Sequence, residues 1–152
     1  MKTLADPIVY ESVLARMASL RPDSTRHWGR MSAHQMICHL ADSFRGPMGE
    51  RTISPATGVV LRPVIKWIAL YAPFHWPKGV PTRPEVEQGA GGTPPTDFER
   101  DRKDLLAALR RFSDKQRAFQ WHPHPMFGEM RDAEWLRWGF LHTDHHLRQF
   151  GV

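Results

Sequence analysis

Residues 132–150, Asp132-Ala133-Glu134-Trp135-Leu136-Arg137-Trp138-Gly139-Phe140-Leu141-His142-Thr143-Asp144-His145-His146-Leu147-Arg148-Gln149-Phe150, read as one long helix with a buried and a wet side. Stepping about 100° per residue from Trp135, His146 falls roughly 20° to one side and His142 roughly 20° to the other, with Gly139, Gln149 and Trp138 close by. Arg137, Asp144 and Arg148 fall opposite. The two histidines therefore lie on the face that must be buried. An imidazole buried without a partner costs about 1–3 kcal/mol, so something has to satisfy both. A divalent metal ion does so, because side chains four residues apart on a helix project together and two neutral ring nitrogens can reach one ion. Spacing by itself carries little weight. Nine His in 152 residues give roughly half such a pair by chance, and a histidine near a helix C-terminus also interacts with the helix dipole.

A third ligand must come from elsewhere. Ser32 with Gln35 three residues later forms a capping-box pattern, which opens a helix from about Ala33 to Arg45 that Gly46-Pro47 ends. His34 and His39 border its apolar arc of Met36, Ile37, Leu40 and Phe44 on opposite flanks, and helical phase does not choose between them. Cys38 reads as a small packing residue. Asp42 reads either as an exposed helical acid or as a general base beside the metal.

Further out, Pro7 to Leu20 is a first helix with Val9, Val13, Met17 and Leu20 on one face. Val59 to Tyr71 is apolar almost all round, which on a short helix implies burial on several sides or a partner surface, so a homodimer is an open expectation. Proline and glycine then dominate Pro73 to Pro95, a loop expected to lie over the helices, with Phe74 and Trp76 docking it and His75 and Trp76 as candidate walls of a substrate mouth. Asp97 to Phe112 forms a fourth helix with Phe98, Leu105, Leu109 and Phe112 on one side. Trp121-His122-Pro123-His124-Pro125 must be extended, because a residue before proline is pushed out of the helical region. The strand period of two is nowhere sustained. The expected fold is all-α, one domain over residues 1–152: a four-helix bundle with an extra apolar helical segment and a long Pro/Gly-rich loop.

Composition narrows the class. The single cysteine excludes an intrachain disulfide, and residues 1–10 lack the apolar core of a secretory signal, so a reducing cytoplasm is the expectation. Arg62, Lys66 and two prolines interrupt the longest apolar stretch, so no bilayer span is expected. The net charge of +5 is spread along the chain and interleaved with acids, as in residues 97–104, rather than gathered into the stripe that nucleic acid requires.

The string His142-Thr143-Asp144-His145-His146-Leu147-Arg148-Gln149 resembles the C-terminal helix motif of the DinB and YfiT-like superfamily: a His, a second His four residues on, and a Gln three beyond. Met36-Ile37-Cys38-His39-Leu40-Ala41 resembles the superfamily's second-helix motif. The resemblance implies a DinB-like bundle with His39, His142 and His146 as metal ligands, and leaves out His34. His145 falls between His142 and His146 but about 80° from Trp135 in helical phase, and reads as a flank residue. His124-Pro125-Met126-Phe127-Gly128, with Glu134-Trp135 and the ending His146-Leu147-Arg148-Gln149-Phe150-Gly151, is similar to a functionally uncharacterised branch that carries an HPxFG segment. That branch starts its last helix on a Ser or Thr cap, where Arg131 or Asp132 stands here.

Three histidines leave an open coordination position, as catalytic metal sites do. Imidazole-only ligation suits zinc, nickel, copper or iron, and zinc or nickel is the expectation. The resemblance implies a thiol-dependent S-transferase or isomerase acting on a small molecule with a low-molecular-weight thiol as cosubstrate. Hydrolysis by metal-activated water is the alternative enzyme, with Asp42 as base and Gln149 orienting ligand or water. A non-catalytic, metal-stabilised binding or dimerisation module is the alternative outside catalysis. His122 and His124 are loop residues that either face the cleft or bond the loop.

Overall fold

The computed structural model describes residues 1–58 and 60–152. Among them the chain is all-α, with helices α1 (Pro7–Ser19), α2 (Ala33–Arg45), α3 (Arg62–Tyr71), α4 (Phe98–Ser113) and α5 (Asp132–Gln149), and one 3-10 turn, Pro84–Val86. No helix among the described residues is long and apolar enough to cross a membrane.

The helix starts follow from their caps. Asp6 accepts the Ile8 and Val9 N–H groups ahead of α1, and Asp97 accepts the Arg100 N–H ahead of α4. At α2 the capping box closes in both directions: Gln35 N–H donates to Ser32 Oγ at 3.1 Å and Ser32 N–H to Gln35 Oε1 at 2.9 Å. α5 starts without a Ser or Thr. There the Glu134 carboxylate accepts the Arg131 N–H at 2.8 Å and does half of the same work from the N3 side.

The core lies between α2 and α4, with α5 packed against α2 and with α1 and α3 packed against α5. Met36, Ile37, Leu40 and Phe44 of α2 meet Leu105, Ala108, Leu109 and Phe112 of α4, all fully buried. Phe44, Phe112, Trp135 and Trp138 form an aromatic knot with centroids 4.8–6.3 Å apart in edge-on or tilted geometry. This knot fixes the roll of α5 against α2, and that roll decides where the histidines arrive.

The third helix is not buried on several sides, the first of the two alternatives its apolar sequence offered. Of the apolar stretch from 59 to 71, Val59 lies outside the described residues, and the helix that forms buries only Leu70 fully. Its polar residues face inward: Arg62 donates to the carbonyls of Ala56, Pro125 and Met126, and Lys66 reaches Glu129 O and the Glu134 carboxylate. Val64, Trp67 and Ile68 are left in water. Two long cationic side chains found carbonyl partners on the α4–α5 connection and at Ala56, and a carboxylate partner on α5, and those directional bonds turned the apolar arc outward. The segment from 73 to 95 is loop apart from the 3-10 turn, and the stretch from 121 to 125 is non-helical as its prolines require.

Candidate metal centre

α2 delivers His39, and α5 delivers His142 and His146 one turn apart. Their ligand atoms all lie within 4.8 Å of one another. His142 Nε2 stands 3.3 Å from His39 Nε2 and 3.1 Å from His146 Nε2, so three ring nitrogens of the same kind converge on one point. His39 and His146 are 4% and 7% exposed, and His142 is half-buried. The helical phase had put His142 at the middle of the buried face. The structure has Thr143 and Leu147 fully buried too, so α5 is covered on more than one side and His142 sits at the margin the loop only partly covers.

Partners on the far side of two rings set their tautomers. The Val86 carbonyl, 2.7 Å from His39 Nδ1, can only accept, so Nδ1 carries the proton and Nε2 is a bare lone pair. Gln149 Nε2 donates to Trp28 O at 2.7 Å, which orients the amide so that Oε1 faces His146 Nδ1 at 3.1 Å. His146 Nδ1 is therefore also the protonated nitrogen. Two fixed lone pairs thus point into one small space beside a third imidazole. Burial pushes all three rings below their ordinary basicity, His142 and His146 most strongly and with help from neighbouring rings (His146 and His39 acting on His142, His39 on His146), so protons do not fill the space near neutral pH. A cation fits: the donor set is three neutral imidazoles, and two of them already have the outer hydrogen bonds that metal-bound imidazoles use. His142 has none, its Nδ1 being buried without a partner.

On the partly open side, Trp76 tilts over His142 with centroids 6.0 Å apart, and its indole N–H is tied to Ala69 O at 2.7 Å. His145 lies beside the triad as a half-buried ring between Trp28 and Trp76, at 5.9 and 6.2 Å. Lys78 Nζ sits 4.5 Å over the Trp28 ring, linking the loop that carries Trp76 to the one that carries Trp28. His75 is exposed.

The other singled-out residues go elsewhere. His34 turns to α4, with Nε2 2.7 Å from Asp101 Oδ2, and Cys38 Sγ points at the same oxygen at 3.7 Å. These three could in principle share an ion, but Asp101 already accepts the Thr96 N–H at 2.8 Å and its hydroxyl at 3.2 Å. Burial and the adjacent Asp101 charge push the Cys38 thiol up to about 12, which suits an inert packing residue. His122 is exposed on its loop. His124 folds onto that loop, its Nδ1 accepting the Met126 and Phe127 N–H groups at 3.1 Å each.

Asp42 corrects an expectation. Far from being an exposed acid, it is fully buried, and its oxygens accept the Thr93 N–H at 2.7 Å and the Thr93 hydroxyl at 2.8 Å while pairing with Arg45 and Arg51. A carboxylate so committed is a strut between α2 and the segment from 84 to 93. Gln149 likewise touches His146 and Trp28 and serves to hold a ring. The Val86 carbonyl was missed in the sequence, since any residue supplies a carbonyl and no side-chain pattern marks it. Trp28 could have been suspected only as an isolated aromatic beside Gly29.

A family model described as a protein of unknown function (DUF1569) matches residues 9–151 of the chain. No curated protein and no solved structure matches it.

Proposed function

We propose that this chain, which belongs to the DUF1569 family, holds a divalent metal ion, zinc or nickel, on the Nε2 atoms of His39, His142 and His146, and acts as a thiol-dependent transferase or isomerase on a small molecule. The observation that carries the metal reading is the pair of bare lone pairs on His39 and His146, fixed by Val86 O and Gln149 Oε1 and aimed at a common point beside His142. Three ligands leave a position open. A bound ion there supplies Lewis acidity, which keeps a thiol in its nucleophilic thiolate form near neutral pH. The chain's own part is to hold the three rings unprotonated at Nε2 and, through Trp76, to screen the His142 side from bulk water. The thiol cosubstrate is supported by the resemblance of residues 36–41 and 142–149 to the DinB and YfiT-like motifs.

Elemental analysis of the purified protein beside His39→Ala tests the site. Close to one equivalent of metal in the wild type and a large loss in the variant is the expected result; unchanged content in the variant refutes the three-histidine centre. For the chemistry, the cobalt-substituted protein is titrated with a low-molecular-weight thiol, and a new thiolate-to-metal absorption band is expected. The hydrolase alternative is weakened by the commitment of Asp42, and turnover of simple esters without thiol is what would revive it. The exposed apolar side of α3 favours the module reading, in which metal removal lowers stability and no thiol binds.

A further inference from the structure

His39 and Asp42 stand three residues apart on α2, and both are tied to the segment from 84 to 93. His39 Nδ1–H donates to the Val86 carbonyl, which belongs to a three-residue 3-10 turn inside the Pro/Gly-rich stretch. The segment's own backbone bonds, Val86 N–H to Arg83 O at 3.0 Å, Glu87 N–H to Pro84 O at 3.2 Å and Gly91 N–H to Pro84 O at 2.8 Å, shape the turn but are internal to it and do not anchor it to α2. Arg51 supplies what is missing. Its NH1 donates to Glu85 O at 2.7 Å and Gly91 O at 3.0 Å, its NH2 to Thr93 Oγ1 at 2.7 Å, and its Nε lies 3.2 Å from Asp42 Oδ1. Asp42 closes the circuit by accepting the N–H and hydroxyl of the same Thr93. One guanidinium thus pins the turn, at Glu85, and the chain that leaves it, at Gly91 and Thr93, to the helix that carries His39.

We propose that Arg51 is a positioning residue of the three-histidine centre: by clasping the segment from 84 to 93 against Asp42, it holds the Val86 carbonyl on His39 Nδ1 and so presents His39 Nε2 as an unprotonated, correctly aimed ligand. The effect on metal affinity rests on the metal reading above, whereas the effect on the His39 ring does not. Lysine cannot replace the residue, because the clasp uses the planar fork of several N–H donors and not only the positive charge.

The test compares Arg51→Lys and Arg51→Ala with wild type and with Val13→Ala, a stability control in the core on α1. Zinc and cobalt affinities are measured by chelator competition well below the melting temperature. Imidazole 15N chemical shifts of the metal-free proteins report the His39 tautomer. Both Arg51 variants are expected to lose roughly 10–100-fold in affinity, as second-sphere partners of metal-bound histidines do, and to show His39 as a mixture of tautomers. Val13→Ala is expected to melt earlier with both readouts unchanged. Wild-type affinity and an intact Nδ1–H tautomer in Arg51→Lys would overturn the proposal, as would an equal loss in Val13→Ala. If the wild type binds neither metal, the metal reading fails, and the His39 tautomer in the Arg51 variants still decides whether Arg51 positions the ring.

Discussion

Gln149 stands between His146 and Trp28, accepting the ring N–H of one at 3.1 Å and donating to the carbonyl of the other at 2.7 Å. The amide thereby ties the loop before α2 to the last turn of α5 and fixes which nitrogen of His146 is bare. Gln149→Leu removes both bonds and leaves the buried His146 Nδ1 and the part-buried Trp28 carbonyl unpaired, at about 1–3 kcal/mol. Metal affinity in this variant should fall roughly 10–100-fold. Gln149→Glu keeps the acceptor toward His146 and should retain most of it. Isothermal titration with zinc separates the two; equal affinity in Gln149→Leu and wild type would refute the role.

Gly29 makes that arrangement possible. Its φ is +80°, and a Cβ there would meet Gln149 Nε2 at 2.4 Å. Gly29→Ala therefore combines left-handed backbone strain with a displaced amide, and should destabilise by about 1–3 kcal/mol. Because the clash is with one side chain, urea unfolding of the Gly29→Ala/Gln149→Ala pair should show a combined loss smaller than the sum of the single losses. Simple additivity would place the strain elsewhere.

Gly139 sets two effects against each other. Alanine in the middle of α5 improves helix propensity by about 1 kcal/mol. Its Cβ, however, would lie 2.7 Å from Phe112 Cε1 and 2.8 Å from Leu4 Cδ1. Phe112 is locked in the aromatic knot and cannot swing away, so overpacking of about 1–3 kcal/mol should win. A lower thermal midpoint for Gly139→Ala is the expected outcome, and a higher one would show that the knot yields.

How far the sequence could be read depended on whether the deciding group was a side chain with a pattern. The α2 capping box and the apolar faces of α1, α4 and α5 are local signals, and the helices fall where those signals put them. His142 and His146 were visible from their spacing. The choice of His39 over His34 was not visible in helical phase, because it depends on α4 lying on one flank of α2 and α5 on the other: Asp101 of α4 takes His34, while α5 faces His39. The outward turn of α3 was hidden for a similar reason. Two of the three carbonyls that bind Arg62, those of Pro125 and Met126, come from residues more than sixty positions away, and periodicity holds no record of them. Asp42 looked like a surface acid because Arg51 and Thr93, its partners, reach it from two different loops.

The clearest pH effect comes from His124, which lies outside the triad. Its Nδ1 accepts two backbone N–H groups and its ring stacks on Phe127 with centroids 4.2 Å apart, so protonation at Nδ1 would break the turn. Burial pushes the group down from 6.5 to about 3. Between those values the unfolded chain binds the proton and the native protein does not. The stabilisation is thus complete above pH 6.5 and is lost as pH falls toward 3, by up to about 1.4 kcal/mol per pH unit. Asparagine offers an acceptor oxygen to the same two N–H groups and does not titrate. His124→Asn should therefore be the less stable protein at pH 7.5, through the lost stacking, with the gap to wild type narrowing by about 2 kcal/mol by pH 5. The triad histidines lower stability in acid in both proteins and largely cancel in the comparison, the charge coupling of His124 to His142 being the last of the causes acting on that ring. Urea unfolding at fixed pH values measures the gap, and a gap that stays constant from pH 7.5 to 5 would mean that His124 is not the buried neutral ring its contacts require.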